Sequence, residues 1–188
     1  MSSPTADRVS DRALVLYALI RRAGIEHALG GFVDEPIRIR QAEMARAETE
    51  RWLEREGAAG EVDEQEQILF DAVSGAWPPE AIADGMWRKE ALGALLWSLR
   101  HIQGMPLIDD EFEVSVLNER IERYGSVSSF RANGSLRSAE EIEESWRETD
   151  AWLAATEGRD GADATLASIS AERSRALGWV LDDARPLP

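Results

Sequence analysis

The stretch from Met86 to Pro106 reads MWRKEALGALLWSLRHIQGMP and predicts a long helix with two apolar stripes. The first stripe, whose members recur at spacings of three and four, consists of Leu92, Leu95, Leu96, Leu99 and Ile102. The second consists of Trp87, Ala91, Ala94 and Trp97, and Glu90 and His101 fall on the same line. A helix that is apolar over so much of its circumference is typically covered on more than one side. We therefore expect a central helix at residues 86–103, ended by Gly104 and Pro106.

The chain on either side of this stretch reads as further helices joined by short connectors. We expect them at residues 39–56, 63–73, 79–84, 109–125, 138–157 and 163–184, and a first helix from residue 4 or 11 to residue 29. No stretch shows sustained alternation with β-branched residues. The pattern predicts an all-α fold of about six to eight helices around the central helix. One short β-hairpin at 126–136 is the non-helical candidate, because Asn133-Gly134 is a turn signal.

Length and composition are those of one globular domain. The chain has 188 residues, of which 44% are hydrophobic and 30% charged, so it is large enough for a core and too apolar for wholesale disorder. We expect a single domain over residues 1–188, with loose ends at 1–5 and 185–188. The N-terminus lacks the pattern of a signal peptide, and charges interrupt every apolar run before membrane-spanning length. We therefore expect a cytoplasmic protein without a membrane partner.

The net charge of −15, from 36 acids and 21 bases, argues against binding to nucleic acid or to anionic membranes. A basic protein partner is compatible with it, and ordinary solubility is the simpler explanation. The exposed candidates for such a contact are Glu43, Glu50, Glu54, Glu64, Glu140, Glu144 and Trp77. Trp77 is included because it precedes a double proline, and Phe130 is a further candidate for a contact between copies. The sequence leaves the oligomeric state open.

Motifs for metals, nucleotides and nucleophiles are missing from the sequence. The chain has no cysteine, which excludes disulfides and thiolate chemistry. His27 and His101, the two histidines, have no glutamate three residues before them, so we expect no transition-metal site and no cofactor. The acids of residues 109–111 are of the type that a hard cation uses, but acids at the start of a helix are the commoner explanation.

Two charged residues, Glu90 and Arg173, stand among apolar positions. A charge in such a place is costly unless it is paired, so we expect Glu90 to contact Arg173 or Arg137. In the structural interpretation, the pair ties two helices together. In the functional interpretation, Glu90, Arg137 and Arg173 surround a polar pocket flanked by Trp87 and Trp97, as acid and anion-binding groups.

Several motifs, in order, resemble the bacterial domain-of-unknown-function family 4272. They are Trp87-x-x-Glu90-Ala91-Leu92-x-x-Leu95-Leu96-Trp97-x-Leu99, Trp52-Leu53, Leu136-Arg137-Ser138 and Glu172-Arg173-x-x-Ala176-Leu177-x-Trp179. The resemblance covers residues 12 to 182 and implies a helical, soluble bacterial protein without supplying an activity. The late helix departs from the family, whose members often carry a histidine there, because residues 145–153 read SWRETDAWL.

Two functions follow as hypotheses. The first is a non-enzymatic protein-binding module, such as an inhibitor or an immunity-type partner, that uses acidic helical surfaces. The second is an enzyme or small-ligand-binding protein with a pocket around Glu90, Arg137 and Arg173. A deep pocket that holds these groups would favour the second, and a continuous core around them would favour the first.

Overall fold

The computed structural model describes residues 3–30, 35–156 and 162–188, without the side chains of residues 162 and 163. The predicted break between the last two helices falls outside these ranges. The α-helices are α1 (Ala6–Leu29), α2 (Pro36–Glu56), α3 (Glu64–Asp71), α4 (Pro79–Ser98), α5 (Val114–Glu122), α6 (Val127–Asn133), α7 (Ala139–Thr156) and α8 (Ala162–Leu181). A short 3₁₀ turn, Ala59–Glu61, lies between α2 and α3. The described residues contain no β-strand, and the prediction of an all-α fold of six to eight helices is confirmed.

The mid-chain helix α4 is the centre of the fold. It packs against α1 and α8, and every residue from Glu90 to Leu99 is buried. Its two apolar stripes explain this position, because each stripe can contact a different helix. On the periphery, α2 packs against α1 and α7 packs against α8. The core cluster includes buried side chains from α1, α4 and α8.

The bounds of α4 differ from the predicted 86–103 at both ends. The short piece predicted at 79–84 is its first turn and a half, and Pro79 occupies a first-turn position, where a missing N–H costs nothing. The helix ends at Ser98, before the glycine and proline that were expected to stop it. Arg100 follows in the left-handed conformation, with φ of 62°. The amide of His101 then donates to the carbonyl of Leu96 at 2.9 Å, a helix-ending pattern more usual with glycine.

The predicted β-hairpin at 126–136 is wrong, because α6 occupies most of that segment. The Ser126 hydroxyl accepts from the amide of Ser129 at 3.1 Å and caps the helix. Phe130 is fully buried, which anchors the helix and removes this ring from the exposed candidates for a contact between copies. The turn signal at Asn133-Gly134 marks the end of this helix and not a hairpin.

The acids of residues 109–111 do not start a helix, since α5 begins at Val114. Glu111 contacts Lys89 instead. A capping box starts α7: Glu141 N–H donates to the Ser138 hydroxyl at 3.2 Å, and the Ser138 amide donates to the Glu141 carboxylate at 2.9 Å.

Residues near both ends of the chain, where loose segments were expected, make defined contacts. The Ser3 hydroxyl donates to the carbonyl of Leu181 at 2.9 Å. Pro4 and Pro188 are buried, and Arg12 donates to the backbone oxygen of Pro188. Residues 1 and 2 lie outside the described ranges. Among the helices described, none combines the length and the apolar character needed to cross a membrane.

A buried ion pair and a candidate binding groove

Glu90 of α4 and Arg173 of α8 form an ion pair in the core, which we call the core ion pair. The Nε and Nη2 atoms of Arg173 lie 2.9 and 2.8 Å from Oε2 of Glu90. The Arg173 side chain is 1% exposed and the Glu90 side chain is 0% exposed. Burial raises the pKa of the Glu90 carboxyl, and the Arg173 charge and the Phe112 amide oppose that rise.

The remaining donors of Arg173 are occupied by backbone carbonyls. Nη1 donates to Pro106 and Leu107 at 3.1 and 3.2 Å, and Nη2 also donates to Asp110 at 2.6 Å. The amide of Phe112 donates to Oε1 of Glu90 at 2.9 Å. Each of the five N–H groups of the guanidinium thus has an acceptor within the protein, and none is left for a ligand. The core ion pair fixes the 106–112 segment against α4 and α8.

Arg137, the third member of the predicted polar pocket, lies elsewhere. Its Nε donates to the carbonyl of Trp97 at 2.8 Å, and its Nη2 donates to those of Ile102 and Gln103 at 3.1 and 2.8 Å. The guanidinium also stacks over the Trp97 ring at 4.5 Å. Arg137 therefore caps the end of α4, two turns beyond Glu90, and the three groups do not surround a common pocket.

The two tryptophans predicted to flank that pocket also have other roles. Trp97 is 8% exposed and carries Arg137 on its face. Trp87 is half-buried, and Lys89 lies 5.3 Å from its ring centroid. Neither ring is needed to explain the burial of the core ion pair.

Two further buried ion pairs, each with its arginine on α1, were not predicted from the sequence. Arg12 contacts both carboxylate oxygens of Glu66 at 2.6 Å, with the two side chains 0% and 3% exposed. Arg22 contacts Glu26, which also accepts from the amide of Gly75 at 2.9 Å. The signal that identified Glu90 was present here too, because Arg12 lies on the same helical face as the apolar residues Val9 and Leu16.

Trp77 is not an exposed contact residue, which corrects the sequence-based expectation. The side chain is 5% exposed. Its Nε1–H donates to the carbonyl of Leu69 at 2.9 Å, and the Arg22 guanidinium lies 5.5 Å from the ring centroid. The double proline that follows starts α4 and does not present the ring to solvent.

The acidic candidates divide into paired and unpaired groups. Arg46 lies between Glu43 and Glu50, at 3.0 and 2.5 Å from their carboxylates. The other four are exposed and have no ion pair among the described residues: Glu54, Glu64, Glu140 and Glu144. Helix α7 has six acids and one arginine over residues 139–156, so its net charge is strongly negative.

An open groove of about 570 Å³ lies between α1, α2 and the α5–α6 corner. Its floor on α1 consists of Tyr17, Ala18, Arg21 and Ile25. The α2 wall consists of Ala45, Glu48, Thr49, Trp52, Arg55 and Glu56. The opposite wall consists of Ile121, Glu122, Gly125, Ser126, Val127, Ser128 and Phe130. Gly125 makes the corner possible, because its φ of 69° is left-handed.

The centre of the groove is a tyrosine in a polar chain. The Tyr17 hydroxyl donates to Glu122 at 2.7 Å and accepts from Nη1 of Arg21 at 3.0 Å. Burial and the hydrogen bond to Glu122 raise the pKa of Tyr17, so the phenol keeps its proton. Trp52 meets the Tyr17 ring edge to face at 5.9 Å.

The groove has more free acceptors than free cations. Glu48 makes no ion pair among the residues described, and the Glu122 carboxylate accepts only from Tyr17 there. Arg55 contacts Glu56 at 3.2 Å, and Arg21 already donates to Tyr17. Sequence reasoning did not find this groove, since its walls come from three separate segments of the chain.

His101 is buried behind the groove, in contact with one of its lining residues. It is 3% exposed, stacks on Phe130 with ring centroids 4.5 Å apart, and its Nδ1 lies 2.7 Å from the Tyr124 hydroxyl. Burial, assisted by the nearby charge of Arg123, lowers its pKa to about 4. The neutral ring is therefore part of the core. In the described part of the chain, no three histidine or carboxylate side chains converge in the manner of a metal site.

Comparison with known proteins gives one result. No curated protein and no solved structure matches the chain significantly. The family model described as "Domain of unknown function (DUF4272)" matches residues 1–185. That match covers nearly the whole chain and agrees with the resemblance of the tryptophan- and arginine-containing motifs. The chain belongs to the DUF4272 family, whose function is unknown.

Proposed function

We propose that this protein is a non-enzymatic protein-binding module, such as an inhibitor or an immunity-type partner, that binds a basic protein. The observation that carries the proposal is the groove between α1, α2 and the α5–α6 corner. Its lining includes Trp52, Arg21 and Arg55, which are at least partly exposed and belong to the residue types that dominate binding energy at protein interfaces. A partner side chain can enter there without displacing any part of the core.

The placement of the candidate catalytic groups also supports a binding role. The core ion pair uses its donors and acceptors within the fold, and Arg137 uses its own on the end of α4. A reacting group must reach its substrate, and the 0% exposed Glu90 does not. What is accessible on this protein is a groove and acidic helical surface.

The acidic surface would act mainly on the rate of association. A net charge of −15 attracts a basic partner over distances of about one Debye length, which is about 8 Å at physiological ionic strength. Glu140 and Glu144 on α7 are exposed and unpaired among the described residues, so they contribute to this attraction. Contacts in the groove would then determine the lifetime of the complex.

A small ligand is the second candidate occupant, because about 570 Å³ lies within the range of small-molecule pockets. The same experiment separates the two. The tagged protein is expressed at native level in its own host and isolated under native conditions. Mass spectrometry then identifies any protein or small molecule bound in stoichiometric amount.

Groove-filling variants locate the binding site. Ala45→Trp and Ser128→Trp fill the groove from opposite walls, and Ala83→Trp places the same ring at an exposed position of α4 as the matched control. We expect the wild type and Ala83→Trp to retain one protein that both groove variants lose, with circular dichroism showing that each variant is folded. Retention of a small molecule alone, or of the same protein by all variants, contradicts the proposal.

A further inference from the structure

We propose that the groove binds an arginine side chain of the partner, with the carboxylates of Glu48 and Glu122 as the candidate acceptors for the guanidinium and the Trp52 ring as the surface on which it stacks. This inference rests on the proposed function, because it assigns the arginine to the partner protein. It goes further in naming the group that the groove recognises.

The charges within the groove are not balanced by ion pairs of the described chain. Of the five charged residues in its lining, Arg55 and Glu56 contact each other at 3.2 Å, and Arg21 donates to the Tyr17 hydroxyl. Glu48 and Glu122 are exposed carboxylates with no ion pair among the described residues. An incoming cation thus finds two acceptors that no cation of the described chain uses.

The α2 wall of the groove places an aromatic ring near one of these carboxylates. Glu48 lies one helical turn before Trp52, so its carboxylate and the indole ring share one face of α2. A planar guanidinium can stack on a ring while its N–H groups donate to carboxylates, whereas an ammonium group is a strongly hydrated point charge that cannot stack. The combination favours arginine over lysine.

The groove already holds one guanidinium of its own chain, that of Arg21. Arg21 lies 5.5 Å from the centroid of Tyr17 and donates to its hydroxyl at 3.0 Å. The neighbouring positions by Glu48 and Trp52 offer the same chemistry without an occupant from the described residues. The surplus of negative charge over the whole protein attracts an arginine-bearing partner to the protein, and the contacts within the groove must supply the choice of site.

The test uses nuclear magnetic resonance of the full chain, with the indole N–H of Trp52 assigned through Trp52→Phe. N-acetyl-arginine amide is the probe, and N-acetyl-citrulline amide is its neutral isostere. We expect the arginine probe to shift the Trp52 signal and the amides of residues 121–128 saturably, and the citrulline probe to leave them unchanged. Equal shifts with the two probes, or shifts only outside the groove, overturn the inference.

Matched variants separate groove recognition from general attraction. Glu48→Gln with Glu122→Gln removes two charges from the groove, and Glu140→Gln with Glu144→Gln removes two from α7. We expect the first double variant to bind the arginine probe about tenfold more weakly and the second to bind within about twofold of the wild type. Equal losses in both double variants overturn the inference, because they would show a nonspecific effect of charge.

Two further outcomes distinguish this inference from the proposed function. If agmatine, a small guanidinium compound, binds the groove more tightly than the peptide-like probe and no protein is retained from the host, then both proposals fail. If the groove-filling variants lose a protein partner but the arginine probe does not shift Trp52, only the assignment of arginine fails.

Discussion

Glu90 and Glu48 are the same residue type on two helices of one protein, and the structure uses them in opposite ways. Glu90 on α4 is 0% exposed and bonded to Arg173 and to the Phe112 amide. Glu48 on α2 is exposed at the edge of the groove and makes no ion pair among the described residues. A buried carboxylate must find its partners within the chain, whereas an exposed one remains available to another molecule. The comparison separates the part of the protein that holds the fold from the part that can bind.

The largest effect is expected from Glu90→Gln, which removes the charge that Arg173 faces in the core. Breaking a buried ion pair on one side leaves an uncompensated buried charge, so we expect a loss of about 3–5 kcal/mol in the free energy of unfolding. Urea denaturation followed by circular dichroism measures it.

Replacing both partners at once shows where this loss comes from. In Glu90→Met with Arg173→Met no uncompensated charge remains at this place in the core, so part of the stability should return. Recovery should be incomplete, because the carbonyls of Pro106, Leu107 and Asp110 lose their donor. A loss below about 1 kcal/mol in the single variant would show that the pair is dispensable.

The next effect is a dependence of stability on pH that comes from His101. The pKa of His101 is about 4 in the folded protein, against the ordinary histidine value of 6.5. At a pH between these two values, the unfolded chain binds a proton that the folded chain does not. Stability should therefore fall by about 3 kcal/mol as the pH falls from about 6.5 to about 4.

Unfolding free energies of the wild type and of His101→Gln across this pH range isolate the contribution, because the carboxylates titrate in both. His27→Gln is the control, since His27 is exposed on α1. If the wild type and His101→Gln show parallel pH profiles, the buried ring does not titrate as expected.

A smaller effect is expected where α4 meets the segment held by the core ion pair. A Cβ on Gly93 would lie 2.2 Å from the Phe112 ring, whose backbone amide is bonded to Glu90. Gly93→Ala should therefore cost about 1–3 kcal/mol through overpacking. Gly24→Ala on α1, where no atom lies within 4 Å, should instead stabilise the helix by about 0.5–1 kcal/mol. Thermal or urea unfolding compares the pair, and a stabilised Gly93→Ala would mean that Phe112 moves freely.

The smallest effect is expected from the exposed carboxylate at the edge of the groove. Glu48→Gln removes an exposed charge that has no ion pair in the described chain, so stability should change by less than about 0.5 kcal/mol. Urea unfolding of this variant beside Glu90→Gln measures the contrast directly. A loss of similar size at both positions would show that the groove carboxylate supports the fold and is not free for a partner.

Local patterns in the sequence were enough to predict most of the helices, though not α6, and the central position of α4, because apolar periodicity records which faces are buried. They also indicated that Glu90 needed an arginine. They misplaced Trp77 and Phe130, whose burial depends on contacts with α1, α3 and α4 that are distant in the sequence. The end of α4 was misplaced for the same reason, since Arg137 and its amide bond to the carbonyls of Trp97 and Ser98.

The candidate site was less predictable than the fold. The pair of Glu90 and Arg173 left a trace because each charge interrupts an apolar stripe. The groove left none, since Glu48 and Glu122 look like ordinary solvated acids until α2 and α5 are placed beside α1. Packing between separate helices, and not local pattern, creates the concave surface.

The floor and the two walls of the groove come from residues 17–25, 45–56 and 121–130. The cavity therefore exists only when these distant parts of the chain have assembled. Any molecule that occupies it therefore binds the native state and not the denatured ensemble. By linkage, a compound at one hundred times its dissociation constant would add about 2.7 kcal/mol to stability. Libraries of compounds and peptides can thus be screened by the shift in melting temperature, before any activity or natural partner is known.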